Sequence, residues 1–203
     1  MEDCTIMEEL TNRKKQAIST KKRILDTSMK LMKEYGYDAM TIKQICDEAG
    51  VSTGAFYHHL GSKDGIIIEG YSECDRYFEK YVINNLKSDN IIDRIIEYIG
   101  YQMKYAVEIG IDTITQIYKA QLTNANEFFL SDKRALSSNL LILIKEAQNE
   151  NLLRDDFTAE EIRDELLLIS RGTIYNWSQK NGSFDLIGYC NKLISHHIFF
   201  YVI

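Results

Sequence analysis

The chain has 203 residues, of which 45% are hydrophobic and 27% are charged. That size can bury a sizeable core, as one globular protein or as two small domains. The absence of proline excludes Pro-rich linkers and permits long uninterrupted helices. No apolar stretch follows the early charged residues, and the longest aliphatic run, Leu140 to Ile144, is too short to span a bilayer. We therefore expect a cytoplasmic, helical protein with no secretory signal and no membrane contact.

The formal net charge of -6 conceals an uneven distribution. Between Asn12 and Lys63 there are ten basic and five acidic residues, whereas the rest of the chain after Lys63 contains 14 basic and 21 acidic residues. A basic segment beside an acidic body is typical of a protein in which one part contacts phosphate. The acidic total therefore does not exclude a nucleic-acid partner.

Nothing in the sequence indicates a catalytic or metal centre. The four cysteines form no CxxC pair, so we expect reduced thiols packed in helices. They are Cys4, Cys46, Cys74 and Cys190. His196 and His197 are adjacent and cannot share a helix face, which makes them a poor metal site. Because known catalytic motifs are also missing, we expect no metal, no cofactor and no enzymatic activity.

Helical periodicity predicts an all-α protein of about nine helices. The predicted helices run approximately over 20–35, 41–49, 52–60, 63–81, 92–103, 113–122, 132–149, 158–179 and 184–201. Capping boxes, Thr41 to Gln44 and Thr158 to Glu161, begin the second and eighth helices. The third, seventh and ninth helices are expected to be capped by Ser52, Ser131 and Ser183. The predicted organisation is a flexible segment over 1–19, a three-helix domain over 20–66 and a helical body over 67–203.

Apolar stripes indicate which helix faces are buried. The first helix is expected to turn five residues inward: Ile24, Ser28, Leu31, Met32 and Tyr35. The last two helices are apolar on more than one side, whereas a surface helix needs a single stripe. We favour a four-helix bundle with a second copy of the chain; the alternative is that one chain covers both faces itself. The residues expected at that dimer interface are Ile169, Thr173, Leu193 and His197.

Residues 41–60 combine a short helix, a tight turn and a second short helix. Gly50 stands where a left-handed residue would end the first helix, and Ser52 can cap the second. Phe56 and Leu60 form the inner side of the second helix, which leaves large polar side chains outside. These are Tyr57, His58 and His59. The pattern is that of a helix-turn-helix, whose second helix enters the major groove of DNA.

The segment from Thr41 to Ile66 resembles the DNA-binding domain of TetR-type (tetracycline-repressor-like) transcriptional regulators. The resemblance rests on the Ala-Gly-Val-Ser turn, the Phe-Tyr-His-His stretch and Ser-Lys-Asp, in the right order and spacing. It implies an N-terminal three-helix DNA-binding domain followed by a helical ligand-binding and dimerisation domain. It also implies a repressor that binds a palindromic double-stranded DNA operator as a homodimer and is released by a small molecule.

The resemblance further implies which residues face DNA: Thr41, Ser52, Thr53, Tyr57, His58 and Lys63. Thr41, Tyr57 and Lys63 are expected to hold phosphates, and Thr53 and His58 to lie nearer the base edges. Basic residues 13–15 are either a solvated tail or an arm that touches DNA. Gly65 departs from the family pattern and is expected to loosen the joint between the DNA-reading helices and the body.

The effector is expected to bind in the helical body, where aromatic residues are frequent. The candidates for contact with it are Tyr98, Tyr101, Tyr105, Tyr118 and Trp177. They would suit a hydrophobic or planar small molecule, although ordinary core packing is the alternative for each of them. Two other functions compete with DNA binding: an enzyme lacks any supporting motif, and a helical adaptor would leave the basic segment and the polar helix face unexplained.

Overall fold

The computed structural model describes residues 12–124 and 131–203 and contains, within them, nine α-helices. They are α1 (Asn12–Tyr35), α2 (Ile42–Ala49), α3 (Thr53–Leu60), α4 (Gly65–Tyr77), α5 (Ile91–Ile109), α6 (Ile111–Asn124), α7 (Ala135–Asn149), α8 (Ala159–Gln179) and α9 (Leu186–Ile198), with a π-helical turn over Phe78–Val82. Extended pairing in the described residues is limited to an isolated antiparallel bridge between Leu153 and Val202. The prediction of an all-α protein is confirmed.

The chain divides into two compact units, Met1–Gly70 and Tyr71–Ile203. In the first unit, α1 packs against both α2 and α3, and α2 packs against α3. Their shared core contains Ile24, Leu25, Leu31, Met32, Met40, Ile45, Cys46, Ala49, Phe56, Leu60, Ile66 and Ile67. Ser28 is also buried, and its hydroxyl donates to the carbonyl of Ile24 at 2.7 Å, which satisfies the polar group inside the helix.

The second unit is organised around α5, α8 and α9. Helix α9 packs against α5 and α8, and α7 packs against α5 and α8 as well. Helices α5 and α9 approach closely at Gly100, where a Cβ atom would lie 3.1 Å from the Oδ1 atom of Asn191. No helix in the described part of the chain is long and apolar enough to cross a membrane.

Polar side chains fix the ends of these helices. The hydroxyl of Tyr98, a fully buried residue, donates to the carbonyl of Ala135 at 3.0 Å, which connects α5 to the start of α7. Glu97 accepts hydrogen bonds from the backbone N–H groups of Lys87 and Ser88 and from the hydroxyl of Ser88, all within 3.1 Å. These hydrogen bonds provide partners for polar groups that would otherwise lose their hydrogen bonds to water when the chain folds.

Helix α1 is longer than the sequence predicts. It begins at Asn12, where the sequence indicates a flexible segment before a helix start near Thr20. Residues 12–19 are all exposed, so no apolar stripe marks them, although none of them is a helix breaker. Tyr35, predicted to point inward, is 56% exposed, because α1 ends there and Gly36 turns the chain with a φ of 78°. Residues 1–11, including Cys4, lie outside the described residues.

Helix α4 also differs from its prediction. The sequence predicts one helix from Lys63 to about residue 81, but α4 begins at Gly65 and gives way to the π-helical turn after Tyr77. The hydroxyl of Ser62 accepts from the N–H of Gly65 at 3.1 Å and so satisfies an open donor at the helix start. A π-helical turn inserts an extra residue in the helical repeat without leaving an apolar signature, so periodicity does not reveal it.

The predicted serine caps of α7 and α9 are wrong. Helix α7 begins at Ala135 behind Arg134, and Ser131 instead accepts from the N–H two residues later, at 3.3 Å. Helix α9 begins at Leu186, and its cap is Asp185, whose carboxylate accepts from the N–H three residues later at 3.1 Å. Aspartate caps a helix as well as serine does, so composition alone does not decide between Ser183 and Asp185.

Candidate nucleic-acid interface

Helix α2 begins with the predicted capping box. The Oγ1 atom of Thr41 accepts from the N–H of Gln44 at 3.2 Å, and the Gln44 Oε1 atom accepts from the N–H of Thr41 at 2.8 Å. Gly50 ends the helix with a φ of 62°, a left-handed conformation that favours glycine. The Thr41 hydroxyl also donates to Gln44 at 2.9 Å, so a phosphate at Thr41 has to compete with Gln44 for that group.

Helix α3 has one buried side and one open side. Its cap is Ser52, whose hydroxyl accepts from the N–H of Ala55 at 3.1 Å. Phe56 is fully buried, whereas Tyr57 is 50% exposed. Of the residues that the sequence predicts at the DNA surface, those on or beside α3 are all exposed: Ser52, Thr53, Tyr57 and His58. The open side therefore presents hydroxyl, phenol and imidazole groups together.

Gly54 and Gly65 lie near the two ends of α3 and differ in the space that is available for a side chain. A Cβ atom at Gly54 would lie 3.8 Å from the Ser52 Oγ atom, an ordinary contact, so the fold has room for a side chain there. A Cβ atom at Gly65 would lie 1.8 Å from the carbonyl oxygen of Leu60, which no rearrangement of a side chain can relieve. Glycine is therefore what lets α4 pack directly against the end of α3, and the expectation that Gly65 loosens the joint stays a prediction.

Lys63 lies in the turn between α3 and α4 and is held in place by Tyr37. Its Nζ atom lies 4.4 Å from the centre of the Tyr37 ring, a cation–π contact. The Tyr37 hydroxyl donates to Asp64 at 2.6 Å, and burial together with that hydrogen bond raises the pKa of Tyr37 well above its ordinary value. Tyr37, in the turn after α1, thus positions the ammonium group of Lys63 beside the end of α3.

Some basic residues of this unit form ion pairs within the fold, and others lie on exposed helical turns. Lys21 and Lys30 form ion pairs with Glu69 at 2.7 Å and Glu48 at 2.6 Å, and so help to hold the helices together. Basic residues 13–15 lie on the exposed first turns of α1, so they are helical where the sequence indicates a tail or an arm. Burial, followed by the charges of His58 and Lys21, lowers the pKa of His59.

The aromatic residues that the sequence predicts for effector binding do not all lie together. The charge of Arg134 acts on Tyr98 and Tyr105, and the hydroxyl of Tyr118 donates to the carbonyl of Arg171 at 2.8 Å. Tyr101 and Trp177 have other partners: Tyr101 donates to the carbonyl of Asn85 at 3.3 Å, and Trp177 donates to the carbonyl of Phe184 at 3.2 Å.

The residues predicted for a dimer interface are unequally accessible. Thr173 is 4% exposed and donates to the carbonyl of Ile169, so the chain already covers it. Ile169 and Leu193 are partly exposed. His197 lies 2.7 Å from a carboxylate oxygen of Glu165, and the pair is accessible. The large exposed apolar residues of this region, which the prediction omits, are Leu168, Tyr175, Tyr189, Phe199, Phe200 and Ile203.

Sequence reasoning missed two features that the structure provides. Tyr37 carries no motif and is linked to Lys63 only through the fold. Arg134 and Arg163 carry no motif either, and both are buried. Among the described residues, no cluster of three or more His, Cys, Asp or Glu side chains is placed to hold a metal ion.

Comparison with known proteins places the N-terminal segment in a recognised group. Residues 24–69 match the family described as bacterial regulatory proteins, tetR family. The uncharacterised HTH-type transcriptional regulator YerO of Bacillus subtilis is 42% identical over 57 residues, which are 28% of this chain and 19% of YerO. The chain therefore matches less than a fifth of the length of YerO. The HTH-type transcriptional repressor AcnR of Corynebacterium jeikeium is 24% identical over 172 residues, 80% of this chain and 84% of AcnR.

The fold likeness extends over nearly the whole chain. FadR of Thermus thermophilus, described as a TetR-family transcriptional repressor in complex with lauroyl-CoA, superposes with a TM-score of 0.71 at 16% identity, and the match covers 88% of this chain and 93% of FadR. At that identity the likeness establishes the fold alone. The likeness thus covers both the N-terminal domain and the helical body.

Proposed function

Because residues 24–69 match the tetR family of bacterial regulatory proteins, we propose that this chain is a repressor that binds a palindromic operator as a homodimer and releases it when a small molecule binds. The proposal takes the double-stranded DNA as the partner of α3, a second copy of the chain as the partner of α8 and α9, and the helical body as the effector site. It assigns the chain no catalytic step, and it places the protein in the cytoplasm with its DNA.

The observation that carries the proposal is the open side of α3. Thr53, Tyr57 and His58 are exposed together on a helix whose other side is anchored by Phe56. Exposed polar aromatic groups on so short a helix gain nothing for the fold, whereas they can donate to phosphates and base edges. Lys63 adds a positioned cation at the C-terminal end of the helix, where a phosphate would neutralise it.

The dimer is supported by apolar surface on the last two helices. Leu168 on α8 is 71% exposed, and Phe199, directly after α9, is 76% exposed. Tyr175 and Tyr189 lie on the same two helices and are each 46% exposed. Apolar surface of this extent is typical of a protein interface. A two-fold pairing of α8 and α9 would bury it and would give the dimer two copies of α3, one for each half-site of an operator.

The small-molecule response is supported by the helical body itself. It holds tyrosines whose hydroxyls donate to backbone carbonyls, and two of its structural relatives are described with acyl-CoA molecules bound. A ligand that binds one arrangement of the body more tightly than another favours that arrangement. The largest change in DNA affinity that it can cause is set by the difference between its own affinities for the two arrangements.

The experiment that tests the proposal is selection of genomic fragments by the purified chain, followed by gel-shift titration of the recovered sequence. We expect saturable binding that weakens steeply with added salt, since phosphate contacts release counterions. Tyr57→Ala should weaken binding to every duplex by a similar factor, and His58→Ala should also relax the preference among bases. Lys145→Ala, in a surface ion pair on α7, is the control and should bind as the wild type does. Recovery of no sequence, or wild-type binding by both α3 variants, would contradict the proposal.

A further inference from the structure

The turn that carries Lys63 also holds a carboxylate close to the proposed DNA surface. Asp64 follows Lys63 directly and is exposed, and the hydroxyl of Tyr37 donates to it at 2.6 Å. We propose that Tyr37 is a positioning residue for DNA binding, whose hydroxyl occupies Asp64 and whose ring holds the ammonium group of Lys63, so that Lys63 remains available to a phosphate. This inference rests on the proposed function, because it concerns the contact of that regulator with its operator.

Tyr37 contacts the two neighbouring residues with different parts of its side chain. Its hydroxyl donates to the Oδ1 atom of Asp64, while the centre of its ring lies 4.4 Å from the Nζ atom of Lys63. The backbone beside Tyr37 is fixed by a turn, in which Gly36 has a φ of 78° and its carbonyl accepts from the N–H of Met40 at 3.3 Å. A half-buried side chain in a fixed turn can hold both partners in one arrangement.

Without the Tyr37 hydroxyl, the carboxylate of Asp64 would compete with DNA for Lys63. Adjacent residues of opposite charge do pair in this chain: the Nη2 atom of Arg163 lies 2.8 Å from the Oδ1 atom of Asp164. Ion pairs near the surface contribute modest free energies, but they still compete with other contacts of the same charge. An ammonium group that is paired with a carboxylate must give up that pair before it can neutralise a phosphate, so its contribution to DNA affinity falls.

The ring of Tyr37 acts on Lys63 in a second way. A cation over an aromatic face keeps its charge and its N–H donors, whereas an ion pair with a carboxylate engages both. The contact also limits the arrangements of a long side chain that would otherwise be ordered only when DNA binds, at a cost in entropy. The ring therefore lowers the cost of placing the ammonium group against a phosphate.

The carboxylate of Asp64 can be removed without removing the hydrogen bonds that begin α4. The N–H of Gly65 donates to the hydroxyl of Ser62 at 3.1 Å. The backbone carbonyl of Asp64 accepts from the N–H of Ile68 at 3.2 Å. Neither of these bonds uses the Asp64 side chain. Asp64→Ala should therefore keep the start of the helix and leave Lys63 without a competing carboxylate.

The test is a titration of a labelled operator duplex, followed by fluorescence anisotropy at several salt concentrations. Tyr37→Phe keeps the ring but frees the carboxylate of Asp64, and it should weaken binding by about two- to fivefold for each copy of α3, the scale of an exposed ion pair. It should also reduce the slope of log affinity against log salt, because Lys63 then neutralises less phosphate charge. The double variant Tyr37→Phe/Asp64→Ala should restore both values.

Further variants distinguish positioning from a merely structural role. Asp64→Ala alone should bind at least as tightly as the wild type, and it keeps the test available if Tyr37→Phe fails to fold. Tyr37→Leu removes the ring as well, so Asp64→Ala should not restore its affinity. In a Lys63→Gln background, Tyr37→Phe should have no further effect. The matched control is Tyr35→Phe, which removes an exposed hydroxyl bonded to Glu34 and should bind as the wild type does.

The outcomes separate this inference from the proposed function. A wild-type chain that binds no duplex refutes the regulator, and the role of Tyr37 with it. An operator bound with the same affinity and the same salt slope by the wild type and by Tyr37→Phe refutes the role of Tyr37 alone. A loss of affinity in Tyr37→Phe that Asp64→Ala does not reverse, or that persists in the Lys63→Gln background, overturns it as well, as does weakened binding by Asp64→Ala alone.

Discussion

Replacing Gly54 with alanine should stabilise the fold and weaken DNA binding at once. The added methyl group would meet the Ser52 Oγ atom at 3.8 Å, without a clash, on the exposed side of α3. Glycine inside a helix costs about 0.5–1 kcal/mol relative to alanine, and the low end applies because Gly54 lies in the first turn. A gain of about 0.5 kcal/mol corresponds to a rise of about 1–2 °C in the melting temperature of a chain of this length.

The same methyl group would stand between α3 and the DNA. Inserting one methyl group into a tightly packed contact costs about 1–3 kcal/mol, which weakens binding by at least about fivefold for each copy of α3 on the operator. Thermal unfolding followed by circular dichroism measures the first effect. Fluorescence anisotropy with a labelled operator duplex measures the second, on the same preparation of Gly54→Ala.

Two other glycines make the comparison decisive. Gly70→Ala adds a methyl group to α4 at a position with open space around it, so it should raise stability and leave DNA affinity unchanged. Gly65→Ala places its methyl group against the carbonyl of Leu60 and should destabilise the chain strongly. Wild-type DNA affinity in Gly54→Ala would refute the assignment of this side of α3 to DNA, and a lower melting temperature would refute the reasoning about space.

Three further predictions concern charge, pH and assembly. Lys63→Gln should weaken binding to all duplexes and reduce the slope of log affinity against log salt by about 1 per copy; a slope equal to that of the control Lys145→Gln would contradict it. Burial opposes ionisation of Glu97, but hydrogen bonds from the loop before α5 outweigh it and lower the pKa of Glu97. The stabilising effect of Glu97 is therefore complete above the unfolded-state pKa of about 4.3 and is lost as the pH falls through the folded value. Urea unfolding should show that Glu97→Gln lowers the free energy of unfolding at pH 7 and lowers it less at pH 3. An equal loss of unfolding free energy at both pH values would contradict this. Leu168→Asp should raise the dimer dissociation constant by at least about thirtyfold, because two leucines each lose about 1–2 kcal/mol of burial, whereas Ile142→Asp, 59% exposed on α7, should sediment as the wild type does.

Features that depend on a few neighbouring residues could be predicted from the sequence. The capping box at Thr41 and the left-handed turn at Gly50 are local, and both are confirmed. The inward position of Phe56 follows from helical spacing and is confirmed as well. The start of α9 could not be predicted in this way, because serine and aspartate are both good helix caps and the sequence does not distinguish Ser183 from Asp185. In the structure the cap is Asp185.

The candidate site depends more heavily on distant parts of the chain. Tyr37 positions Lys63 from 26 residues away in the sequence, through a contact that no motif announces. Arg134 and Arg163 are buried in ion pairs with Asp75 and Asp132, which no local pattern in the sequence connects with them. Long-range contacts of this kind determine the chemistry of a site, and they cannot be predicted from the local patterns of a single sequence.

The connection between Leu60 and Gly65 leaves no space between the end of α3 and the start of α4. A Cβ atom at Gly65 would lie 1.8 Å from the carbonyl oxygen of Leu60, whereas no atom lies within 4 Å of the Cβ position at Gly50, before α3. Because closely packed backbone has no room to be compressed, a shift of the first turn of α4 towards α3 would have to displace α3 as well.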